Sequence, residues 1–322
     1  MSEPVVQMLW EREAPGRVLQ ERFGFADAAA AARWVGTTTR EHWGISVTRC
    51  ERIVISAGSA LAWVTTVSEG RMILKWSVVP ELFARLGQIA RLTRWLDDRG
   101  IPVSAPVPST SGALQVETAG RAMGLQRVLD GDLLDAADEP SVHAAGATLA
   151  RLDRALGDYP DAATLGGDGF AESPREAITR WAESAGPHVP AAVSEMLSRL
   201  AAEGPDDLPA QLVHGDYRAA NLLCAGSEVV AVLDFEEART EHRVNALARS
   251  AVRLGTRFHD WAPVSNRVHE RFLAGYEAVQ PLTPAERAWW PGLLLWHTAQ
   301  RVPSGSDPTG WAASTKELLV RA

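Results

Sequence analysis

Three polar residues between positions 211 and 237 are spaced as metal and proton chemistry would require: Asp216, Asn221 and Asp234. Asn221 and Asp234 stand at the outer ends of two short apolar runs, and the turn residues between those runs predict a β-hairpin. With the turn centred just after Ser227, Asn221 is expected opposite Asp234. Opposed side chains on one face of a hairpin lie roughly 4.5–5.5 Å apart at Cβ.

An amide oxygen and a carboxylate at that separation suit a hard, octahedral cation. Mg²⁺ is such a cation, because it takes few protein ligands and fills its shell with phosphate and water. Asp216, which lies just upstream on a loop, is then available for a role other than metal binding. The competing interpretation is a buried turn followed by an ordinary hairpin, in which all three polar residues would occupy these places by accident.

The 322 residues are enough for two lobes with separate cores, and the net charge of −8 is unevenly distributed. Residues 1–131 carry 15 basic and 13 acidic side chains, whereas residues 132–322 carry 17 and 27. The acidic second part argues against a nucleic-acid partner, which requires a basic face. It would suit a cationic small molecule, or it is a solvated surface that serves solubility.

The two cysteines, Cys50 and Cys224, provide neither a disulfide framework nor a zinc site. The N-terminal residues form neither a basic nor an apolar leader segment, and no apolar run is long enough to span a bilayer. We therefore expect a cytoplasmic protein without a membrane partner. The oligomeric state is left open by the sequence.

Two groups of elements surround these residues. In the first group, the patterning of residues 52–129 predicts about five strands, and residues 81–99 carry leucines at helical spacing. We expect that helix to pack on the sheet. At the first turn of the sheet, the small residues Ser56, Gly58 and Ser59 would let backbone N–H groups approach a phosphate. In the second group, helical patterns dominate on both sides of the 211–237 stretch.

The motif His214-Gly215-Asp216, with Asn221 five residues beyond the aspartate, is followed after a strand by Asp234-Phe235-Glu236. Together these residues resemble the catalytic and metal-binding segments of the aminoglycoside phosphotransferase and choline kinase family. The likeness covers residues 52–248, and the HRD, DFG and APE forms of protein kinases are absent.

This resemblance implies an α+β, two-lobe, protein-kinase-like fold with a nucleotide between the lobes. The small N-lobe is expected to hold a five-stranded antiparallel sheet and to span residues 1–123. A hinge is expected at 124–131, and a mainly helical C-lobe at 132–322.

The resemblance also implies that the chain is a kinase that uses ATP or GTP with Mg²⁺ to phosphorylate a small hydroxylated acceptor. Asp216 would be the catalytic base, and Asn221 and Asp234 would be the Mg²⁺ ligands. Lys75, one of only two lysines in the chain, would contact the α- and β-phosphates. Arg218 is expected to stabilise charge on the transferred phosphoryl group.

The nucleotide base is expected at the hinge, where the backbone of Gln126 to Val128 would hold its edge. This expectation follows from position in the family. Relatives commonly place a glutamate on the helix after the lysine strand, but Gln88 or Ile89 stands there in this chain. Either Glu81 or another acid takes its place, or phosphate alone holds Lys75.

The acidic second part and the form of the motifs predict a hydroxylated, cationic acceptor of antibiotic type, so that the outcome would be resistance by phosphorylation. Glu237, Glu241 and Asp260 are the carboxylates expected to face it. A metabolite kinase for choline, homoserine or a sugar would share every motif. A non-catalytic nucleotide-binding pseudokinase is supported by the missing helix glutamate and opposed by the intact catalytic motif.

Overall fold

The computed structural model of the chain describes residues 3–166 and 172–321. The chain divides into two compact units, Met1–Leu129 and Asp130–Ala322. The division falls inside the stretch 124–131. Among the residues that the structure describes, no helix combines the length and the apolar composition needed to cross a bilayer.

Seven strands form one sheet in the first unit: β1 (Val5–Met8), β2 (Val47–Ser56), β3 (Ser59–Thr66), β4 (Arg71–Ser77), β5 (Pro106–Val107), β6 (Val116–Thr118) and β7 (Arg121–Arg127). Their order is β1-β2-β3-β4-β7-β5, and β6 also pairs with β7. The first pair, β1 with β2, is parallel, and the other pairs are antiparallel. Three helices complete the unit: α1 (Pro15–Glu21), α2 (Ala28–Trp43) and α3 (Phe83–Asp97).

The mixed α and β content agrees with the predicted fold class, but the prediction of five antiparallel strands is wrong in number and in one direction. The two strands that the pattern missed lie at the edges of the sheet. None of the four side chains of β1 is buried, and β5 has only two residues and begins with Pro106. Neither strand therefore shows the buried apolar alternation from which a strand is predicted.

One face of the sheet holds the hydrophobic core of the unit, and α1 and α2 cover this face. Helix α2 begins where the N–H of Ala30 donates to the side chain of Asp27 (2.6 Å), as an N-cap does. At the centre of the core, the buried ring of Trp76 contacts Phe23 and Trp34 edge-on. Helix α3, which the sequence predicted over 81–99 and expected on the sheet, contacts the strands β5 and β7.

The second unit contains eight helices and five short strands among its described residues. The helices are α4 (Glu139–Gly157), α5 (Ala162–Leu165), α6 (Pro174–Ser184), α7 (Ala191–Glu203), α8 (Arg243–Arg253), α9 (Asn266–Glu277), α10 (Pro284–Ala299) and α11 (Trp311–Arg321). The strands are β8 (Asp132–Leu133), β9 (Ala210–Val213), β10 (Leu222–Ala225), β11 (Glu228–Val232) and β12 (Arg239–His242). They form a three-stranded sheet, β11-β10-β8, and the pair β12-β9.

Helices α4 and α9 approach closely because each contributes a glycine to the contact. A Cβ atom on Gly146 would overlap the carbonyl oxygen of Phe272, and one on Gly275 would overlap the carbonyl oxygen of His143. A larger residue at either position would push the two backbones apart. This helix pair lies beneath the loop that follows β9.

Candidate active site

The loop that follows β9 is fixed by contacts with its surroundings. Gly215 has φ of +85°, which glycine adopts without strain, and a Cβ atom there would overlap the carbonyl oxygen of Glu237. Two residues further on, the buried hydroxyl of Tyr217 donates to the carbonyl of Ala145 on α4 (2.8 Å). The backbone of this loop is therefore held in place by the protein itself.

His214 joins this loop to the segment after β11. Its Nε2 lies 3.0 Å from the carbonyl oxygen of Leu233, and its Nδ1 accepts the backbone N–H of Asp216 at 3.2 Å. Burial lowers the pKa of His214, against the opposing effect of the Asp234 and Asp216 carboxylates. A neutral ring with its proton on Nε2 makes both hydrogen bonds, so His214 is a positioning residue.

The carboxylate of Asp216 accepts hydrogen bonds from three side chains. Its Oδ2 accepts from Nε of Arg218 (2.9 Å) and from Nδ2 of Asn221 (3.0 Å), and its Oδ1 accepts from Nη1 of Arg253 (3.0 Å). The Asp216 side chain is 17% exposed. The carboxylate is thus oriented by its neighbours and still reaches the surface, which a base that must meet an acceptor hydroxyl requires.

The hairpin of β10 and β11 differs by one residue from its predicted register. Leu222 pairs with Val232, and the N–H of Leu233 donates to the carbonyl of Asn221 (2.8 Å). Asn221 therefore lies opposite Leu233, and the predicted pairing of Asn221 with Asp234 is wrong.

The position of the turn causes the shift, and an irregularity in the strand reverses part of it. Ala225 pairs with Glu228, so the turn is centred one residue earlier than predicted, and Gly226 supplies the positive φ of +58° there. The register then changes once within the hairpin, just after Leu223. An irregularity of this kind leaves no mark in the apolar pattern, so the sequence could not reveal it.

Asn221 and Asp234 nevertheless suit a magnesium site. The amide nitrogen of Asn221 donates to both the backbone oxygen (2.8 Å) and the carboxylate of Asp216, which fixes the amide so that its oxygen faces away from that carboxylate. Asp234 is exposed and has φ of +63°, in the left-handed region that few residues other than glycine adopt. An amide oxygen and a carboxylate are the donor set that Mg²⁺ takes alongside phosphate oxygens, so the residues present fit this ion.

Arginines that the sequence analysis missed surround Asp216. Arg249 and Arg253 lie one helical turn apart on α8, and Arg301 follows the end of α10. The guanidinium groups of Arg218 and Arg301 both lie near the ring of Trp261, at 5.6 and 5.1 Å from its centroid. The four-residue spacing on α8 was the available signal in the sequence, since it places both side chains on one face.

Glu241 is not the free acceptor-facing carboxylate that the sequence predicts. It is 4% exposed, and it accepts hydrogen bonds from both terminal nitrogens of Arg249 (2.5 and 2.8 Å) and from Asn245 (2.7 Å). Arg239 lies 2.9 Å away. Burial acts to raise the pKa of Glu241, but Arg249 and then Arg239 outweigh it and hold the pKa below its ordinary value. A carboxylate committed in this way does not attract a cationic acceptor.

Asn245 connects Glu241 to His297. Its Nδ2 donates to Glu241, and its Oδ1 lies 2.8 Å from Nε2 of His297. Burial and the nearby Arg249 lower the pKa of His297 to about 3, so the ring is neutral and donates its proton to the amide oxygen. An aspartate at position 245 would instead place a second carboxylate against Glu241.

An open cleft of about 770 Å³ lies beside this network in the second unit. Among the residues that line it are Trp181, Arg239, Glu241, Arg249, Trp296 and Gln300. Of the other two predicted acceptor acids, Glu237 has a side chain that is 69% exposed and lies 3.7 Å from Arg239. Asp260 is exposed, and its carbonyl accepts the N–H of Arg257. Their acceptor roles stay predictions.

In the first unit, the predicted phosphate turn joins β2 to β3. Ser56 and Ser59 pair across it, and between them the N–H of Ala57 donates to the carboxylate of Glu11 (2.6 Å). The carbonyl of Gly58 accepts the N–H of Val78 (2.9 Å). The Glu11 carboxylate thus already accepts a hydrogen bond from a backbone N–H at the tip of this turn. The phosphate role of Ser56, Gly58 and Ser59 stays a prediction.

Lys75 lies in β4, where the backbone register places Leu61 and Gly124 beside it. Its side chain is half-buried on the face opposite the core residues Leu74 and Trp76. Glu81 belongs to the short 3-10 turn before α3. The contact of Lys75 with phosphate stays a prediction.

The predicted hinge residues belong to the sheet or adjoin it. Gln126 lies in β7 and donates its side-chain amide to the carbonyl of Ser104 (2.9 Å). The N–H of Val128 donates to the carbonyl of Arg71 (3.0 Å). Because that N–H is already used, it cannot also donate to a nucleotide base. A hydrogen bond between the base and Val128 would therefore have to use the carbonyl of Val128.

A His-Gly-Asp loop, a neighbouring asparagine and an Asp-Phe-Glu segment in a helical unit, preceded by a sheet unit, define a kinase-like phosphotransferase. A model of the phosphotransferase enzyme family (APH) matches residues 50–290, well over half of the chain. The chain belongs to this family. The family predicted from the HGD and DFE motifs is therefore confirmed, and so is the prediction that the chain is a phosphotransferase.

Individual relatives agree on the family and differ in their substrates. A homoserine kinase of Neisseria meningitidis serogroup B is 29% identical over 223 residues, which is 65% of this chain and 66%, just under two thirds, of the relative. A solved amicoumacin kinase, in complex with AMP-PNP, Ca²⁺ and Ami, is 17% identical with a TM-score of 0.57, covering 90% of this chain and 93% of that one. A macrolide 2′-phosphotransferase from Brachybacterium faecium is 18% identical with the same TM-score, covering 83% and 88%. These structures establish a shared fold and confirm the predicted α+β class.

Proposed function

We propose that this phosphotransferase transfers the γ-phosphoryl group of ATP or GTP to a hydroxyl group of a small molecule. The observation that carries the proposal is the carboxylate of Asp216, which Arg253 and Asn221 hold in one orientation on a fixed loop. Asp216 accepts the hydroxyl proton as the acceptor oxygen bonds to phosphorus and the bond to the β-phosphate oxygen breaks. Arg218 stabilises the charge on the transferred group.

The remaining roles follow from position and side-chain chemistry. Asn221 and Asp234 hold Mg²⁺, which when bound supplies positive charge to the phosphate oxygens. Lys75 contacts the α- and β-phosphates, while the turn at Ser56 to Ser59 and the carbonyl of Val128 contribute to nucleotide binding. Phosphoryl transfer asks little covalent chemistry of the protein, so positioning and charge account for the rate. The cytoplasmic location stays a prediction.

Two acceptor classes compete. The sequence predicted an antibiotic, and the solved neighbours include kinases of amicoumacin and macrolides. The curated relatives, at higher identity, are homoserine kinases. Because Glu241 is neutralised, the argument for a cationic antibiotic has lost one of its three acids. We therefore favour a small hydroxylated metabolite such as homoserine, with an antibiotic as the second candidate.

An acceptor screen tests the proposal. Transfer of labelled γ-phosphate from ATP and from GTP would be measured to homoserine, choline, a sugar, an aminoglycoside and a macrolide, with and without Mg²⁺. We expect Mg²⁺-dependent transfer to one acceptor class and none with Asp216→Asn. Nucleotide binding without transfer to any acceptor would point instead to a non-catalytic nucleotide-binding protein.

A further inference from the structure

The region around Asp216 contains more positive than negative side chains. Four guanidinium groups influence one another there, and two carboxylates oppose them. The arginines are Arg218, Arg249, Arg253 and Arg301, and the carboxylates are Asp216 and Glu241. The arginines outnumber the carboxylates here, in contrast with the residues from 132 onward as a whole, which carry 17 basic and 27 acidic side chains.

The carboxylates are not shared equally among these arginines. Glu241 binds Arg249 through two hydrogen bonds and also pairs with Arg239, while Asp216 pairs with both Arg218 and Arg253. Within the described ranges 3–166 and 172–321, no carboxylate lies within salt-bridge distance of Arg301. The positive charge of Arg301 is therefore the least compensated of the four.

Arg253 retains a donor that the protein does not use. Its Nε is buried and has no hydrogen-bond partner among the described residues. A buried donor without an acceptor costs about 1–3 kcal/mol, so it marks a place where a ligand oxygen would be favourable. Burial, together with the neighbouring charges of Arg301 and Arg249, lowers the pKa of Arg253 to about 10. An added anion would relieve this mutual repulsion.

Trp261 gives the cluster an apolar surface. The guanidinium groups of Arg218 and Arg301 both lie near its ring, and its own N–H donates to the carbonyl of Phe258 (3.2 Å). A short aliphatic chain can pack on such a ring while a charged end group meets the arginines. The same chain would carry a hydroxyl group toward Asp216.

We propose that Arg301 and Arg253 bind a carboxylate group of the acceptor, which makes the substrate a hydroxy acid or a hydroxy amino acid. This inference rests on the proposed kinase function and adds to it the charge of the acceptor and the residues that select it. The planar guanidinium of Arg301 suits a carboxylate because two parallel N–H···O bonds can form.

The phosphates of the nucleotide are a second source of anionic oxygens, so the test separates the two. Three probes place a hydroxyl group on a three-carbon chain that ends in a different charged group. 4-Hydroxybutanoate has the carboxylate without an amine, 3-amino-1-propanol has the amine without a carboxylate, and L-homoserine has both. Equilibrium binding of each would be followed by tryptophan fluorescence, with Trp261→Phe identifying the responding ring. This readout needs no phosphoryl transfer.

We expect the wild-type protein to bind 4-hydroxybutanoate and L-homoserine more tightly than 3-amino-1-propanol. Arg301→Gln should weaken binding of the two carboxylates by about ten- to a hundredfold, as loss of a charged hydrogen bond would. It should leave 3-amino-1-propanol and AMP-PNP binding unchanged, and Arg301→Lys should restore part of the loss. Arg287→Gln is the matched control, because it removes the same charge at the opposite end of α10.

Several results would overturn the inference. One is binding of the amine as tight as, or tighter than, that of the carboxylates, and another is no binding of either carboxylate. A third is an Arg301→Gln effect confined to AMP-PNP, which would mean that the cluster binds the nucleotide phosphates. If no acceptor is phosphorylated but the carboxylates bind as expected, the proposed kinase function fails and the anion site stands. If 3-amino-1-propanol is phosphorylated better than 4-hydroxybutanoate, the kinase function stands and the anion site fails.

Discussion

Two clusters of arginine and carboxylate lie in the second unit, and they differ in how completely they are paired. In the buried cluster, Arg243 donates two hydrogen bonds to Glu286 (2.8 and 2.5 Å), and the hydroxyl of Tyr276 donates to Asp153 (2.8 Å). In the active-site cluster, Asp216 is shared between two arginines, and Arg253 retains an unused buried donor.

The difference separates a structural role from a functional one. Glu286 is fully buried and also accepts the N–H of Thr283 (2.8 Å), which begins helix α10 with a capping box. Arg243 and Glu286 neutralise each other there, so removal of either partner should destabilise the fold. The incomplete pairing around Asp216 leaves positive charge available to a ligand. Substitutions in one cluster should therefore affect stability, and those in the other should affect activity.

Asp216→Asn should have the largest effect on activity. Loss of the base should lower kcat about 10³-fold, or about 4 kcal/mol in the barrier, while the nucleotide Kd changes by no more than a few-fold. Stopped-time transfer assays and nucleotide titration would measure both values. Turnover near that of the wild type would remove Asp216 from the mechanism.

Asp234→Ala should abolish Mg²⁺-dependent nucleotide binding, and Asn221→Ala should raise the Mg²⁺ concentration required. Asp234 supplies the charged oxygen, whereas Asn221 supplies a neutral one. Nucleotide binding would be titrated against Mg²⁺ in each variant, with thermal unfolding as the check on folding. Unchanged metal dependence in both variants would contradict the assignment of the site.

Glu286→Ala should have the largest effect on stability, about 3–5 kcal/mol, because it leaves the buried guanidinium of Arg243 without its carboxylate. Urea unfolding followed by circular dichroism would measure the change. Glu277→Ala is the control, since it removes a carboxylate whose partner, Arg287, is exposed and should cost at most about 1 kcal/mol. A similar loss of unfolding free energy in both variants would contradict the structural role of the buried cluster.

The sequence predicted the parts of the site that lie within one short stretch of chain. Asp216, Asn221 and Asp234 fall within nineteen residues of one another, and the spacing of the motif reveals them directly. It failed on the hairpin register, because the apolar runs do not fix which residues form the turn, and the turn is centred one residue earlier than predicted.

The arginine cluster could not be predicted in the same way, because the fold assembles it from distant segments. Arg218 is on the loop, Arg253 is on α8, and Arg301 follows α10. The net charge counted over the second part of the chain is negative, whereas the charge around Asp216 is positive. Such a count cannot distinguish a carboxylate that is paired with arginine, such as Glu241, from one that is not. Local charge depends on which side chains the fold brings together.

The buried carboxyl group of Asp153 makes the stability of the protein depend on pH. Burial raises the pKa of Asp153 to about 7, against the lowering effects of Tyr276 and Arg243, whereas an aspartate in the unfolded chain titrates near 3.8. The folded state therefore binds this proton more tightly. The resulting contribution to stability is fully present below about pH 4 and is lost as pH rises through about 7.

Asp153→Asn should remove this pH dependence, because an amide oxygen can still accept the hydroxyl hydrogen of Tyr276 but carries no charge at any pH. The free energy of unfolding would be measured in urea at pH 5 and pH 8 for both proteins. The wild-type value minus the variant value should be larger at pH 5, by at most about 3 kcal/mol. The exposed Asp158→Asn should show no such difference. If the Asp153 difference were equal at both pH values, Asp153 would be ionised beside Arg243 in the folded protein, and the buried cluster would contain two carboxylates for one guanidinium.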